Sequence, residues 1–73
     1  MKDNWISVEN KLPDCDDYGN SNEVIMSVEF KKMRYTSIGR LVSNRWYWVE
    51  DKNILTNEFK ATHWMPLPEP PKS

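Results

Sequence analysis

Each end of the chain carries a short aromatic segment that stops at proline. Trp5-Ile6-Ser7-Val8 is followed by Leu12-Pro13, and Thr62-His63-Trp64-Met65 continues into Pro66-Leu67-Pro68-Glu69-Pro70-Pro71. Proline lacks the backbone N–H that a helix interior or a central strand requires, so regular structure must end at both places. We therefore expect both segments to be short and extended, and the proline-rich stretch 66–73 to form a polyproline-like tail.

The length of 73 residues predicts a single small domain over residues 1–73. Because Cys15 is the single cysteine and His63 the single histidine, a disulfide within the monomer is excluded and a zinc site is disfavoured. Four Trp, three Tyr and two Phe remain to build a core, at roughly 150–250 Å² buried per aromatic ring. Self-association into a homo-oligomer is a second way to cover the apolar surface of so small a domain.

Period-two alternation between the two ends predicts strands. Val24, Met26, Val28 and Phe30 share one face of a strand over 24–30. Further strands are expected over 34–42, 45–49 and 61–65, with a tight turn at residues 43–44. Gly39 lies inside the second of these strands, where a glycine indicates a bulge, a sharp bend or the close approach of another backbone.

The remaining segments indicate loops. Residues 13–23 are rich in Gly, Asn, Asp and Ser and predict a loop, while residues 50–60 are expected to form one or two helical turns. Together these patterns predict a mainly β fold with at most one short helix. The expected architecture is a small antiparallel sheet of four or five strands, curled or closed into an SH3-like barrel.

The two end motifs resemble a phage and prophage family catalogued as domain of unknown function 551. Its members look similar in layout, with a Trp-Ile-Ser-Val opening, a following Leu-Pro and a Thr-His-Trp-Met-Pro-Leu-Pro close. The residues between Asp14 and Ala61 have no residue-by-residue counterpart in that resemblance. The resemblance implies a phage or prophage accessory gene, and by analogy a product that acts on host processes or host defence.

The middle of the chain offers one candidate binding surface, in which arginines alternate with aromatic residues. Such a surface suits either a phosphate with a stacked base or the anchors of a protein interface. The competing interpretation is ordinary: solvated charges around a hairpin, with Trp46 and Trp48 in the core. The candidate ligand-binding or partner-binding residues are Arg34, Tyr35, Arg40, Arg45, Tyr47 and Trp48.

The terminal segments are better explained as a structural clasp, in which Trp5, Trp64, Pro66 and Pro68 hold the two ends of the chain together. Residues 66–71 also contain the Pro-x-x-Pro spacing that aromatic grooves recognise, so a docking peptide is the alternative. The clasp is favoured because the proline run adjoins a strand and carries its own apolar anchors.

No catalytic, metal or cofactor site is predicted. His63 lacks a partner marked by spacing that would activate it as a general base, so a small hydrolase is the weakest functional alternative. Asp14, Asp16 and Asp17 fail the spacing of a calcium-binding loop, because Tyr18 and Ile25 fall where carboxylates are required.

The charge pattern narrows the expected partners. The formal net charge of −1 gives no strong nucleic-acid signal, and the sequence has no long apolar run to cross a membrane. Together with the phage or prophage origin that the resemblance implies, this pattern leads us to expect a non-enzymatic accessory protein in the host bacterial cytoplasm. It would bind a host protein or, alternatively, sequester a small nucleotide in a basic-aromatic pocket.

Overall fold

One open antiparallel sheet of six strands forms the domain, in a computed structural model that describes residues 4–68. The order across the sheet is β1-β6-β2-β3-β4-β5. The strands are β1 (Ile6–Ser7), β2 (Val24–Phe30), β3 (Met33–Val42), β4 (Arg45–Trp48), β5 (Asn53–Ile54) and β6 (Phe59–Pro66). The expected mainly β, antiparallel class is confirmed, with six strands rather than four or five. Of the proline-rich tail predicted over 66–73, residues 69–73 lie outside the described part.

The helical turns expected over residues 50–60 are wrong. The chain there makes a turn, the two-residue strand β5 and a second turn. Lys52 has a φ of 57°, a left-handed conformation that is incompatible with a right-handed helix. Its N–H donates to the Trp48 carbonyl at 2.8 Å, which closes the turn that brings β5 back beside β4. Within residues 4–68 no helix exists that could span a bilayer.

The sheet is curled but does not close into a barrel, because β1 and β5 remain as its two edges. The curl is visible from Trp48 on β4 and Phe59 on β6. Their ring centroids lie 5.6 Å apart although β3 and β2 separate their strands. We call the side of the sheet that carries these two rings the concave face, and the other side the convex face.

The core lies on the concave face. Its buried apolar side chains come from β2, β3 and β6: Val24, Met26, Val28, Leu41, Ala61 and Trp64. The predicted alternation of β2 is confirmed, with the bounds 24–30 as expected. Gly39 lies opposite Val24 on the neighbouring strand, and a Cβ at this glycine would overlap the sulfur of Met26. The glycine therefore makes room for the largest fully buried side chain.

The β3–β4 hairpin closes at the expected residues. Ser43 and Asn44 form the turn with φ values of 51° and 66°, the left-handed conformation at both central positions that suits the twist of a two-residue hairpin. Asn44 also donates its N–H to the Gly19 carbonyl at 2.9 Å, and Ser43 donates to the Asn20 side chain at 3.0 Å. The loop before β2 is thus attached to this turn.

Residues 8–22 cover one end of the concave face. The Trp64 indole donates to the Lys11 carbonyl at 2.8 Å, and Pro13 is buried. Further along, the Ser21 hydroxyl accepts the Leu41 N–H at 2.8 Å while the Ser21 N–H donates to the Leu41 carbonyl at 2.9 Å. We call this end, which contains Met26 and Leu41, the closed end.

Candidate functional site

The opposite end of the concave face is open and holds a groove of about 770 Å³. Strand β3, the end of β4, the turn after it, β5 and the start of β6 contribute its walls. We call it the aromatic groove. Its lining residues are Tyr35, Thr36, Ser37, Trp48, Glu50, Asp51, Asn53, Ile54, Thr56 and Phe59.

Stacked aromatic rings form the floor of the groove. Phe59 meets Trp48 edge to face, with an interplanar angle of 84°. Phe59 also stacks on Phe30, its partner across the β2–β6 pair, with centroids 4.3 Å apart and an interplanar angle of 15°. Such contacts add about 0.5–1.5 kcal/mol each to the burial of the rings. Because each ring contacts the next, the orientation of Trp48 is restricted at the floor of the groove.

Tyr35 forms a wall of the groove and remains 40% exposed. Its hydroxyl lies 3.5 Å from the Met33 sulfur, which is a weak acceptor. Met33 is 58% exposed beside it. Two large apolar side chains are therefore accessible next to the aromatic floor.

The charged side chains of the groove are acidic. Glu50 and Asp51 are both exposed and lie in the turn that follows β4. Among the residues that line the groove, none is Lys or Arg. This arrangement attracts a cationic ligand and repels a phosphate.

The six predicted binding residues do not lie in one pocket. Strand pairing places Gly39 opposite Trp48 and Arg40 opposite Tyr47, so successive residues face opposite sides of the sheet. Tyr35 and Trp48 reach the aromatic groove. Arg34, Arg40 and Tyr47 have positions of the opposite parity and belong to the convex face. Arg45, at the start of β4, lines a separate concavity with Trp46 and Phe59.

These arginines make separate local contacts. The Arg34 guanidinium lies 3.8 Å from the Glu29 carboxylate, with both side chains well exposed. The Arg40 guanidinium carbon lies 5.8 Å from the centre of the Tyr47 ring. Arg45 is exposed at the start of β4. The exposed pair of Arg34 and Glu29 contributes little to stability.

The predicted clasp residues come from segments that meet in the sheet. Strand β1 pairs with β6 through Ile6 opposite Trp64 and Ser7 opposite His63, and Val8 donates to the Thr62 carbonyl at 3.0 Å. Trp64 is buried. Trp5 is half-buried, Pro66 lies opposite Val24, and Pro68 is exposed.

A family model described as "Protein of unknown function (DUF551)" matches residues 4–72 of the chain. The chain belongs to the DUF551 family. The resemblance inferred from the two end motifs is thereby confirmed, and the match extends across the middle of the chain as well. Comparisons with curated proteins and with solved structures returned no match.

In this DUF551 protein, His63 lies away from the aromatic groove. It shares a convex-face concavity of about 200 Å³ with Trp5, Ser27 and Arg34. Its Nδ1 atom lies 3.0 Å from the Thr62 hydroxyl. None of the residues lining this concavity carries a carboxylate that would orient the imidazole. Across the described residues, no three His, Cys, Asp or Glu side chains gather closely enough to hold a metal ion.

Sequence reasoning missed Phe59, Glu50 and Asp51 as members of the site. They belong to the segment 50–60, where helical turns were expected. Glu50 and Asp51 follow Trp48 closely in the chain, whereas Phe59 reaches it through the curl of the sheet. One signal was available in the sequence Arg45-Trp46-Tyr47-Trp48. Because successive residues of a strand face opposite sides of the sheet, both tryptophans are expected on one face, and the arginine and the tyrosine on the other.

Proposed function

We propose that this DUF551 protein is a non-enzymatic accessory protein of a phage or prophage that binds a host protein through the aromatic groove, in the host bacterial cytoplasm. The observation that carries the proposal is the pairing of an accessible aromatic floor, Trp48 on Phe59, with an acidic rim, Glu50 and Asp51. The resemblance of the end motifs supports the phage origin, and the composition of the groove supports the binding role.

The aromatic groove has the properties of an interaction hot spot. Trp and Tyr are enriched among the residues that dominate binding energies, typically in concave, desolvated positions. A domain of this size has little apolar side-chain area to spare, so open aromatic rings are better explained by a partner than by stability.

The same groove is poorly equipped for catalysis. Its hydroxyl groups, on Thr36, Ser37 and Thr56, lack a histidine beside them, because His63 lies on the convex face. A general base must lie within hydrogen-bond reach of the proton that it removes. A binding role therefore fits the residues of the groove better than a hydrolytic one.

Site-specific photo-crosslinking in the bacterial host tests the proposal. Tyr35 is replaced by a benzophenone amino acid at the groove wall, and Tyr18, which is 80% exposed on a distant loop, receives the same replacement as the matched control. We expect irradiation to give a discrete protein adduct from position 35 and none from position 18. The adduct should disappear in the double charge reversal Glu50→Lys, Asp51→Lys.

Two results would refute groove binding. Adducts of equal yield from positions 35 and 18 would indicate collisional labelling of any exposed surface. An adduct from position 35 that survives both Trp48→Ala and the charge reversal would place the contact outside the groove. Thermal unfolding of each variant, followed by circular dichroism, separates loss of contact from loss of fold.

A second candidate function rests on Arg40. Its Nε atom is buried and has no hydrogen-bond partner among residues 4–68, and its guanidinium approaches Tyr47. A cation beside an aromatic ring suits a nucleotide, and Arg40 lines a concavity of about 490 Å³. Asp14 and Asp16 line the same concavity and oppose a phosphate, so this function ranks second.

Heat denaturation of freshly purified protein tests the nucleotide function. Sequestration predicts that an intact nucleotide is released from the wild-type chain and is absent after Arg40→Ala, with the subunit number given by native mass spectrometry. Release of no nucleotide from the wild-type protein after expression in the host would reject sequestration.

A further inference from the structure

We infer that the aromatic groove takes its occupant as an added β-strand, paired with the free edge of β3. This inference rests on the proposed function, since it specifies how a partner enters the same groove. It also names the chemistry of that partner: an extended segment that carries an apolar side chain and a lysine or arginine.

Strand β3 is longer than the strand that covers its outer edge. It pairs with β2 from Met33 to Gly39, but with β4 only from Gly39 to Val42. The last bond on the β4 side joins the Val49 N–H to the Ile38 carbonyl at 3.2 Å. After Val49 the chain turns away toward β5, so β3 continues alone past that point.

The alternation of the β3 backbone shows which of its N–H and C=O groups have no partner beyond the end of β4. In a strand, the N–H and C=O groups of successive residues point to opposite edges. Because Ile38 bonds toward β4, Thr36 and Arg34 direct their backbone groups to the same outer edge, whereas Tyr35 and Ser37 bond toward β2. Among the described residues, no backbone group pairs with Thr36 or Arg34 on that outer side.

This free edge borders the aromatic groove. Thr36 is a lining residue, with Tyr35 and Ser37 on either side of it. Exposed strand edges are templates for pairing with an extended chain, and partner recognition by strand addition combines such backbone bonds with pockets for alternate side chains. The edge and the groove supply these two components next to each other.

The lining of the groove identifies the side chains of the added strand. Every second residue of a strand along β3 would face the concave side, where Trp48 and Phe59 accept an apolar or aromatic group. Glu50 and Asp51 lie at the rim and complement a lysine or arginine. Residues 33–37 of β3 have no partner on the β4 side, so the added strand could pair over about five residues, or about 17 Å.

A second copy of this chain is a poorer occupant. A symmetric contact uses the same patch on both subunits. Two copies joined along this edge would therefore bring two acidic rims, each with Glu50 and Asp51, toward one another. Like charges placed together oppose such a contact.

Peptide selection followed by backbone methylation tests strand addition. Heptapeptides that bind the wild-type protein are first isolated from a displayed random library. Each amide of one selected peptide is then N-methylated in turn, and its affinity is measured by fluorescence anisotropy. Pairing on one edge predicts a periodic result: methylation of alternate amides weakens binding by about tenfold or more, while the intervening amides tolerate it. The Thr36 and Arg34 amides should gain protection from hydrogen exchange on binding.

The outcomes separate the binding mode from the proposed function. Uniform tolerance to methylation, with binding still lost in Trp48→Ala, overturns strand addition and leaves groove binding intact. Binding that is unaffected by Trp48→Ala overturns both. A dimer seen by sedimentation and dissociated by the peptide would assign the edge to a second copy and overturn the heterologous partner.

Thr36→Pro removes the N–H that this edge offers to a partner. The variant should retain the fold and lose affinity for the peptide, and an unchanged peptide affinity would refute the pairing.

Discussion

The closed end and the open end of the concave face are made of the same strands and differ in what covers them. At the closed end, Met26 is 0% exposed and Leu41 is 1% exposed. At the open end, Tyr35 on the same strand as Leu41 is 40% exposed. One strand thus changes from core to surface along its length.

The difference arises from the segments that connect the strands. Residues 8–22 lie over the closed end, where Lys11 accepts the Trp64 indole bond and Ser21 exchanges two bonds with Leu41. The open end has only the short turns on either side of β5. Aromatic residues without a covering loop are therefore expected to serve binding, while those beneath the loop serve stability.

The largest expected difference between the two ends is in side-chain truncation. Met26→Ala should lower the free energy of unfolding by about 2–5 kcal/mol, because the cavity it leaves is enclosed. Tyr35→Ala should lower it by less than about 1 kcal/mol, because the ring is already in contact with solvent. Urea denaturation of both variants measures the contrast, and equal losses would mean that the two ends are packed alike.

Gly39→Ala tests the tightness of the closed end by adding an atom. The new methyl group would overlap Met26, which has no solvent-exposed space into which it can swing. We expect a loss of about 1–3 kcal/mol in the free energy of unfolding, as for other overpacked cores. Thermal unfolding measures it, and an unchanged or higher melting temperature would contradict close packing at this position.

The acidic rim is expected to matter for binding and not for folding. Glu50→Lys with Asp51→Lys should weaken a lysine- or arginine-containing peptide by about tenfold, because attraction becomes repulsion. The matched control, Asp14→Lys with Asp17→Lys, changes the net charge equally on the distant loop and should leave the affinity unchanged. If both double variants weaken binding equally at low salt, the effect is one of net charge rather than of the groove.

The smallest of these effects concerns the bond that holds the covering segment. Trp64→Phe removes the indole N–H that donates to the Lys11 carbonyl, which should cost about 1 kcal/mol of stability beyond the loss of buried indole area. Trp46→Phe on β4 is the control for the loss of indole area. A Trp64→Phe variant no less stable than its control would show that the bond does not hold residues 8–22 in place.

The sequence predicted correctly those elements that depend only on residues close together in the chain. The alternation of Val24, Met26 and Val28 sufficed for β2, and Ser43-Asn44 sufficed for the hairpin turn, because both depend on neighbouring residues. Gly39 was expected to mark a bulge, a bend or the close approach of another backbone, whereas the structure places the Met26 side chain against it. The partner that approaches it, Met26, depends on the pairing of β2 with β3 and follows from no local pattern.

The candidate site was predicted only in part, for the same physical reason. Tyr35 and Trp48 were named, but they were grouped with arginines that alternation places on the other face. Phe59 reaches Trp48 because the sheet curls, and the free edge at Thr36 exists because β4 ends before β3 does. Curl and strand length are properties of the whole sheet, so no pattern within a short window contains them.

Tyr47 and Trp48 allow the most direct measurement of groove binding, because they are neighbours on β4 that face opposite sides of the sheet. A selected heptapeptide is titrated against Tyr47→Ala and Trp48→Ala, with the fold of each variant verified by its near-native circular dichroism spectrum. Trp48→Ala should weaken the peptide by about thirtyfold, the size of a hot-spot effect, and Tyr47→Ala by less than about threefold. Equal losses, or a larger loss in Tyr47→Ala, would contradict binding through the aromatic groove.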